Sequence, residues 1–107
     1  MIVKDLLTSD FELVCGSDEK EIKGCYIGDL LSLAMSKVTS GDAWVTIQSN
    51  INIVAVASLA DAGCIIICEG FVPEENVIKR AEASDVTILK TELQAYDVAK
   101  ILVSNSI

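Results

Sequence analysis

Apolar and polar positions separate most sharply between Ala43 and Gly70. Two short runs there, Ala43-Trp44-Val45-Thr46-Ile47 and Cys64-Ile65-Ile66-Ile67-Cys68, are almost continuously apolar and rich in Val and Ile. Such runs read as strands covered on both faces of a parallel sheet. Between them, after Gln48-Ser49-Asn50 and before Gly63, Ile51 to Ala62 is apolar on nearly every side of a helix. A helix without a polar face has to be covered all round, by its own sheet and by something else. The stretch predicts a βαβ unit and hints at a partner surface.

The flanking pattern extends this unit in both directions. Ile2 to Leu7 has apolar residues at helical spacing and ends in Thr8-Ser9-Asp10; Phe11 to Cys15 alternates and stops at Gly16-Ser17-Asp18, giving a strand and a turn. Lys20 to Ile27 reads as a second strand, broken by Gly28-Asp29. Asp29 is placed to cap a helix from Leu30 to Lys37, whose apolar face comprises Leu30, Leu31, Ala34, Met35 and Val38. Beyond Gly70, Pro73 and the acids Glu74 and Glu75 open a helix that closes near Lys79-Arg80-Ala81. Val86 to Leu89 reads as the third parallel strand, and Thr91-Glu92-Leu93-Gln94 matches a capping box, so the last helix is expected from about Glu92 to Val103. The expected fold is α/β, layered, with a mainly parallel central sheet built from consecutive βαβ units plus one or two N-terminal strands. Residues 1–107 are read as a single domain.

Composition narrows the function classes. Sixteen acidic against eight basic residues give a net charge of −8, with seven acids in residues 1–40 and nine in 41–107, so no acidic tail stands apart. A surface that neutralises phosphates needs a basic stripe, and the one Arg, Arg80, has only Lys79 beside it; no nucleic-acid partner is expected. No apolar run approaches the ~20 residues of a membrane span, and the N-terminus lacks the features of a signal peptide, so the chain is expected in the cytoplasm without a membrane partner. Cys64 and Cys68 would lie on one strand face roughly 13 Å apart, too far for one tetrahedral zinc site, and there is no His; the four cysteines are read as buried, reduced thiols, with no metal and no cofactor.

In parallel α/β sheets ligands bind beyond the carboxyl ends of the strands. Here those ends carry Gln48, Ser49, Asn50, Glu69, Gly70 and Thr91, a candidate rim for a small metabolite or nucleotide. The plainer reading makes Ser49 or Asn50 one helix cap, Thr91 another and Gly70 a tight turn. No GxxxxGK[ST] phosphate loop is present, and without His a Ser or Cys nucleophile has no evident base. No catalytic residue is assigned, and the chain is expected not to be an enzyme. The apolar central helix suggests a homodimer seam, with Ile53, Val56, Ala57 and Ala60 as its expected residues.

The order of elements also carries a resemblance. Val3-Lys4-Asp5-Leu6-Leu7, the strand ending at Gly16, Ile22-Lys23-Gly24-Cys25-Tyr26-Ile27-Gly28-Asp29-Leu30-Leu31, the βαβ unit with Glu69-Gly70-Phe71-Val72-Pro73, and Thr91-Glu92-Leu93-Gln94-Ala95-Tyr96-Asp97 together resemble the DRTGG domain over essentially the whole chain. That family is similar to the N-terminal domain of HPr kinase/phosphatase and occurs inserted in some inorganic pyrophosphatases and phosphotransacetylases. The chain departs from the naming motif: Ser49-Asn50-Ile51 stands where the family carries Asp-Arg-Thr, and Glu69-Gly70 where it carries Gly-Gly. The resemblance implies a non-catalytic regulatory or scaffold domain that dimerises. Stand-alone copies with such a degenerate motif look like accessory proteins of redox or hydrogenase-type complexes, which implies a protein partner in a larger complex. The alternative is a sensor binding a small metabolite or nucleotide at the rim.

Overall fold

A computed structural model describes residues 1–107. Its five strands, β1 (Glu12–Cys15), β2 (Gly24–Ile27), β3 (Asp42–Thr46), β4 (Cys64–Ile67) and β5 (Ile88–Lys90), form one sheet in the order β1-β5-β4-β3-β2. Strands β2 to β5 are parallel and β1 runs antiparallel to β5. The expected mixed α/β fold with a mostly parallel sheet is therefore what the chain adopts. Four helices complete it: α1 (Leu31–Lys37), α2 (Asn52–Ala60), α3 (Glu75–Ala83) and α4 (Ala95–Ser104), with a 3₁₀ turn at Val3–Leu6.

Period-two alternation in the strands sends their apolar side chains to two opposite cores. Trp44, Ile65, Ile67 and Ile88 pack with Ala34 and Val38 at α1, Ile53, Val54, Val56 and Ala57 of α2, and Val77 and Ala81 of α3. Ala43, Val45, Cys64, Ile66, Cys68 and Leu89 pack with Val3 and Leu6 of the 3₁₀ turn, Phe11, Ile22, and Val98 and Leu102 of α4. Burial on both faces explains why β3 and β4 read as continuous apolar runs. Because the successive crossovers β2-α1-β3, β3-α2-β4 and β4-α3-β5 step one way along the sheet, α1, α2 and α3 share one face.

The ends of elements differ from the sequence pattern in several places. Lys20 to Ile22 lies outside β2 and pairs with the N-terminus, through an Ile2–Glu21 bridge and the bonds from Val3 N–H to Lys20 O and from Ile22 N–H to Met1 O. Asp29 caps no helix: α1 begins at Leu31 after an extended Leu30, with no side-chain cap. Leu30 and Met35 also stand outside the face that meets the sheet, 65% and 57% exposed, leaving Leu31, Ala34 and Val38 to make it. The Thr91-to-Gln94 capping box does not form either; α4 starts at Ala95, and the Thr91 hydroxyl instead accepts from Leu93 N–H at 3.1 Å and donates to Asp10 O at 2.6 Å.

The central helix has an open side. Asn52, Ala55, Ser58 and Leu59 are exposed, Leu59 at 79%, so α2 is not covered all round. Gly16 is fixed by close approach: with φ +91°, a Cβ there would lie 2.5 Å from the Thr87 Cα. At β1 the pairing with β5 slips between Leu13 and Cys15, a bulge that inserts Val14 into the edge strand.

Candidate functional site

The carboxyl ends of the parallel strands divide into two separate regions. At the β2–β3 end a single carboxylate organises the backbone. Asp29 Oδ1 accepts from the Thr46 hydroxyl at 2.9 Å and from Ile47 N–H at 2.8 Å, and its carbonyl accepts from Gln48 Nε2 at 2.9 Å. Thr46 Oγ1 in turn accepts from Gln48 N–H at 3.1 Å. Gln48 Oε1 accepts from Asn50 Nδ2 at 3.1 Å, and Asn50 Oδ1 accepts from Asn52 N–H at 2.9 Å at the start of α2. Gln48 and Asn50 thus spend side-chain hydrogen bonds on holding the β3–α2 loop. Ser49 lies half-buried between them.

The β4–β5 end is different. Glu69 and Gly70 have φ +59° and +78°, and Phe71 N–H bonds to Cys68 O at 3.3 Å, a tight turn with both central residues left-handed. This backbone is what a Gly-Gly pair serves best, and here Glu69 adopts it at the cost usual for a side chain in that region. The turn is tied to the next loop by Glu69 N–H to Leu93 O and Gly70 N–H to Thr91 O, at 2.9 and 3.0 Å. Beside it opens a cavity of about 400 Å³ lined by Ser9 to Glu12, Gly70 to Val72 and Lys90 to Glu92.

The topology explains why the cavity sits there. Ligand crevices form where the direction of crossovers changes, and no change occurs from β2 to β5. The regular run ends at β5, where β1 enters antiparallel, and residues 9–12 and 90–92 of that junction line the cavity. Of the six rim residues expected from sequence, Gly70 and Thr91 reach it; Gln48, Ser49, Asn50 and Glu69 are not among its lining residues. The missed participants are Asp10, Glu12 and Lys90, brought in by the β1–β5 pairing.

Its chemistry is acidic with an apolar lip. Asp10, Glu12 and Glu92 line it, and the one cation, Lys90, is held 3.6 Å from Glu12. Phe71 and Val72 are 48% and 58% exposed at its margin. Amines or neutral groups suit such a lining better than phosphates do.

The expected dimer residues take a different place. Ile53, Val56 and Ala57 are at most 3% exposed within the single chain, consumed by the core beneath α2, and only Ala60 is partly accessible. They cannot form the face that a partner meets, because the sheet and neighbouring helices already cover them; the open side of α2 is Ala55 and Leu59 instead.

All four cysteines are free thiols, with Cys15, Cys64 and Cys68 buried and Cys25 exposed on β2, the one departure from the expected burial. Burial pushes Cys64 up to about 12 and Cys68 up to about 11, with Glu69 and Asp29 adding to Cys68; Cys25, open to solvent on one side, is raised by partial loss of hydration on its other side and by Asp42. At neutral pH these groups are protonated, the unreactive form.

A family model for the DRTGG domain matches residues 7–104. The chain belongs to the DRTGG domain family. The match spans both ends of the sheet, so the Asp29 network and the acidic cavity both lie within the matched residues. A search of the curated proteins finds no match to the chain. Among solved structures it is similar to the CBS and DRTGG domains of the regulatory region of Clostridium perfringens pyrophosphatase complexed with the activator diadenosine tetraphosphate, with a TM-score of 0.69 and 14% sequence identity. That likeness covers 87% of this chain and 41% of the other, and establishes the shared fold. No helix is long and apolar enough to cross a membrane.

Proposed function

We propose that this DRTGG domain is a non-catalytic regulatory module that acts through self-association and not through capture of a polyphosphate nucleotide. The observation that carries the reading is the state of the strand ends: where the motif would present Asp-Arg-Thr, Gln48 and Asn50 are bonded to their own loop and to Asp29, and no cation stands among them. A polyphosphate would meet Asp10, Glu12 and Glu92 at the other end, against one Lys already paired. Association is supported by exposed apolar side chains near a free sheet edge, among them Ile27, Leu30 and Leu33. A regulatory role fits the company of the DRTGG domain in the pyrophosphatase region of the same fold.

The cavity favours a second reading, a sensor for a small neutral or cationic ligand held against Phe71 with its amine toward Asp10 and Glu92. Dilution calorimetry with and without diadenosine tetraphosphate tests the first reading. Self-association gives a heat of dilution that fits a monomer–dimer equilibrium and is unchanged by the nucleotide. Saturable heat on adding diadenosine tetraphosphate, or no heat of dilution, contradicts the proposal.

A further inference from the structure

We infer that the cavity at the β1–β5 junction takes an organic ammonium ion, a small amine with an apolar body, in preference to a metal ion or a neutral molecule. This rests on the second reading above and names the class of ligand. At about 400 Å³ the cavity lies within the usual range of small-molecule pockets.

The register of the two strands gathers its charges. Glu12 stands opposite Lys90, and continuing that antiparallel register by two residues brings Asp10 and Glu92 to the same face, where both line the cavity. The Thr91 hydroxyl, bonded to the Asp10 carbonyl, holds the two segments together there. Lys90 Nζ lies 3.6 Å from Glu12 Oε2, so that pair cancels. Asp10 and Glu92 have no cation of their own; the other ion pairs of the chain join Lys20 to Asp85 and Lys23 to Glu21. Asp10 bonds through its backbone, its N–H donating to the Thr8 hydroxyl and its carbonyl accepting from Thr91, which leaves the carboxylate free. Glu92 lies over the turn: a Cβ on Gly70 would come within 2.5 Å of Glu92 Oε2, so the bare glycine gives that carboxylate its place. Like charges facing each other across two segments repel, and a cation between them relieves the repulsion.

The surroundings decide which cation. No three acids or cysteines of the chain lie together as a metal ion requires. A neutral molecule covering Asp10 and Glu92 would strip water from two carboxylates and return little, whereas an ammonium group replaces that water with charge-assisted hydrogen bonds. Phe71 and Val72, 48% and 58% exposed at the margin, and the buried Phe11 in the wall supply apolar surface for the rest of the molecule.

Nuclear magnetic resonance titration of the whole chain tests the inference, with benzylamine as the probe and benzyl alcohol as its neutral counterpart. Benzylamine is expected to shift the amides of Gly70, Phe71 and Thr91 saturably and to bind about tenfold more tightly than benzyl alcohol. Lys90→Gln releases Glu12 and should tighten benzylamine binding by about two- to fivefold, a gain that misfolding does not produce; Asp10→Asn should weaken it by a similar factor. Asp10 lies in a turn, so its variant carries the test if Lys90→Gln fails to fold. Glu82→Gln, in the last turn of α3, removes the same charge away from the cavity and leaves the affinity unchanged. Equal weakening by Glu82→Gln and Asp10→Asn would reduce the effect to general attraction by a chain of net charge −8 and overturn the inference. Benzyl alcohol binding as tightly at the same amides overturns the ammonium ion but leaves the cavity a ligand site; no shift with either probe overturns both.

Discussion

Trp44→Ala is expected to lower the stability of this domain by about 3–5 kcal/mol, the range for truncating a large buried aromatic. Trp44 is fully buried on β3, in the core made with α1, α2 and α3, and its Nε1–H donates to Gly28 O at 2.9 Å. The substitution removes the ring from the middle of the helix-covered face and leaves the Gly28 carbonyl without that donor, beside the loop that Asp29 organises. Against a total of roughly 5–15 kcal/mol for a domain of this size, the loss is a large fraction. It corresponds to a fall in melting temperature of roughly 12–20 °C. Trp44→Phe should lose less, since most of the volume is kept and chiefly the hydrogen bond goes. Urea unfolding followed by far-ultraviolet dichroism checks both. A Trp44→Ala protein within about 1 kcal/mol of wild type, well below the usual cost of such a truncation, would contradict the packing described here.

Alkaline pH is the second strong lever. Cys64 is buried in the opposite core, where loss of hydration raises its thiol to about 12, with Cys25 adding and Lys20 opposing. In the unfolded chain the thiol returns to its ordinary value of 9.0. Above that value the unfolded chain gives up the proton and the native chain keeps it, so rising pH favours unfolding. Stability is therefore whole below about pH 9 and is lost progressively toward pH 12. The gap amounts to about 4 kcal/mol for this one group, of which on the order of 2 kcal/mol is gone at pH 10.5. Cys68, raised to about 11, acts in the same direction. Urea midpoints at pH 7.5 and 10.5 measure the effect. Cys64→Ala should reduce the difference between them, leaving the share due to Cys68, and an equal fall in the variant would place the cause elsewhere.

What could be read from the sequence is the part governed by local pattern. Ala43 to Gly70 announced β3, α2 and β4 because strands covered on both faces leave no polar positions, and the observed Asp42–Thr46 and Cys64–Ile67 fall within a residue of the expected runs. Asp29 shows where local pattern fails. A carboxylate just before a helix looks the same whether it caps that helix or reaches Thr46, seventeen positions later, and only the β2–β3 pairing decides. Thr91 misled for a similar reason: its hydroxyl serves the turn before α4 and the Asp10 carbonyl, eighty-one positions away. The cavity depended on β1 entering antiparallel beside β5, a pairing that no spacing encodes. For α2 the pattern showed that nearly every side could be buried but not which side would be. Leu59 remained outside while Ile53 and Val56 went in.

Asp29 joins the two halves of the account. By accepting from Thr46 and Ile47 through Oδ1 it holds the β2–α1 loop to the end of β3, and as an exposed carboxylate it keeps a negative charge at that end of the sheet. A rim whose amide side chains are bonded to their own loop, beside a carboxylate that stays charged, turns this end of the domain away from anions.

The most direct test is sedimentation equilibrium of the wild-type chain from low to high micromolar concentration. The account predicts a weight-average mass that rises from 11.4 kDa toward twice that value as concentration increases. A mass that stays at 11.4 kDa throughout would contradict it and turn attention to the acidic cavity.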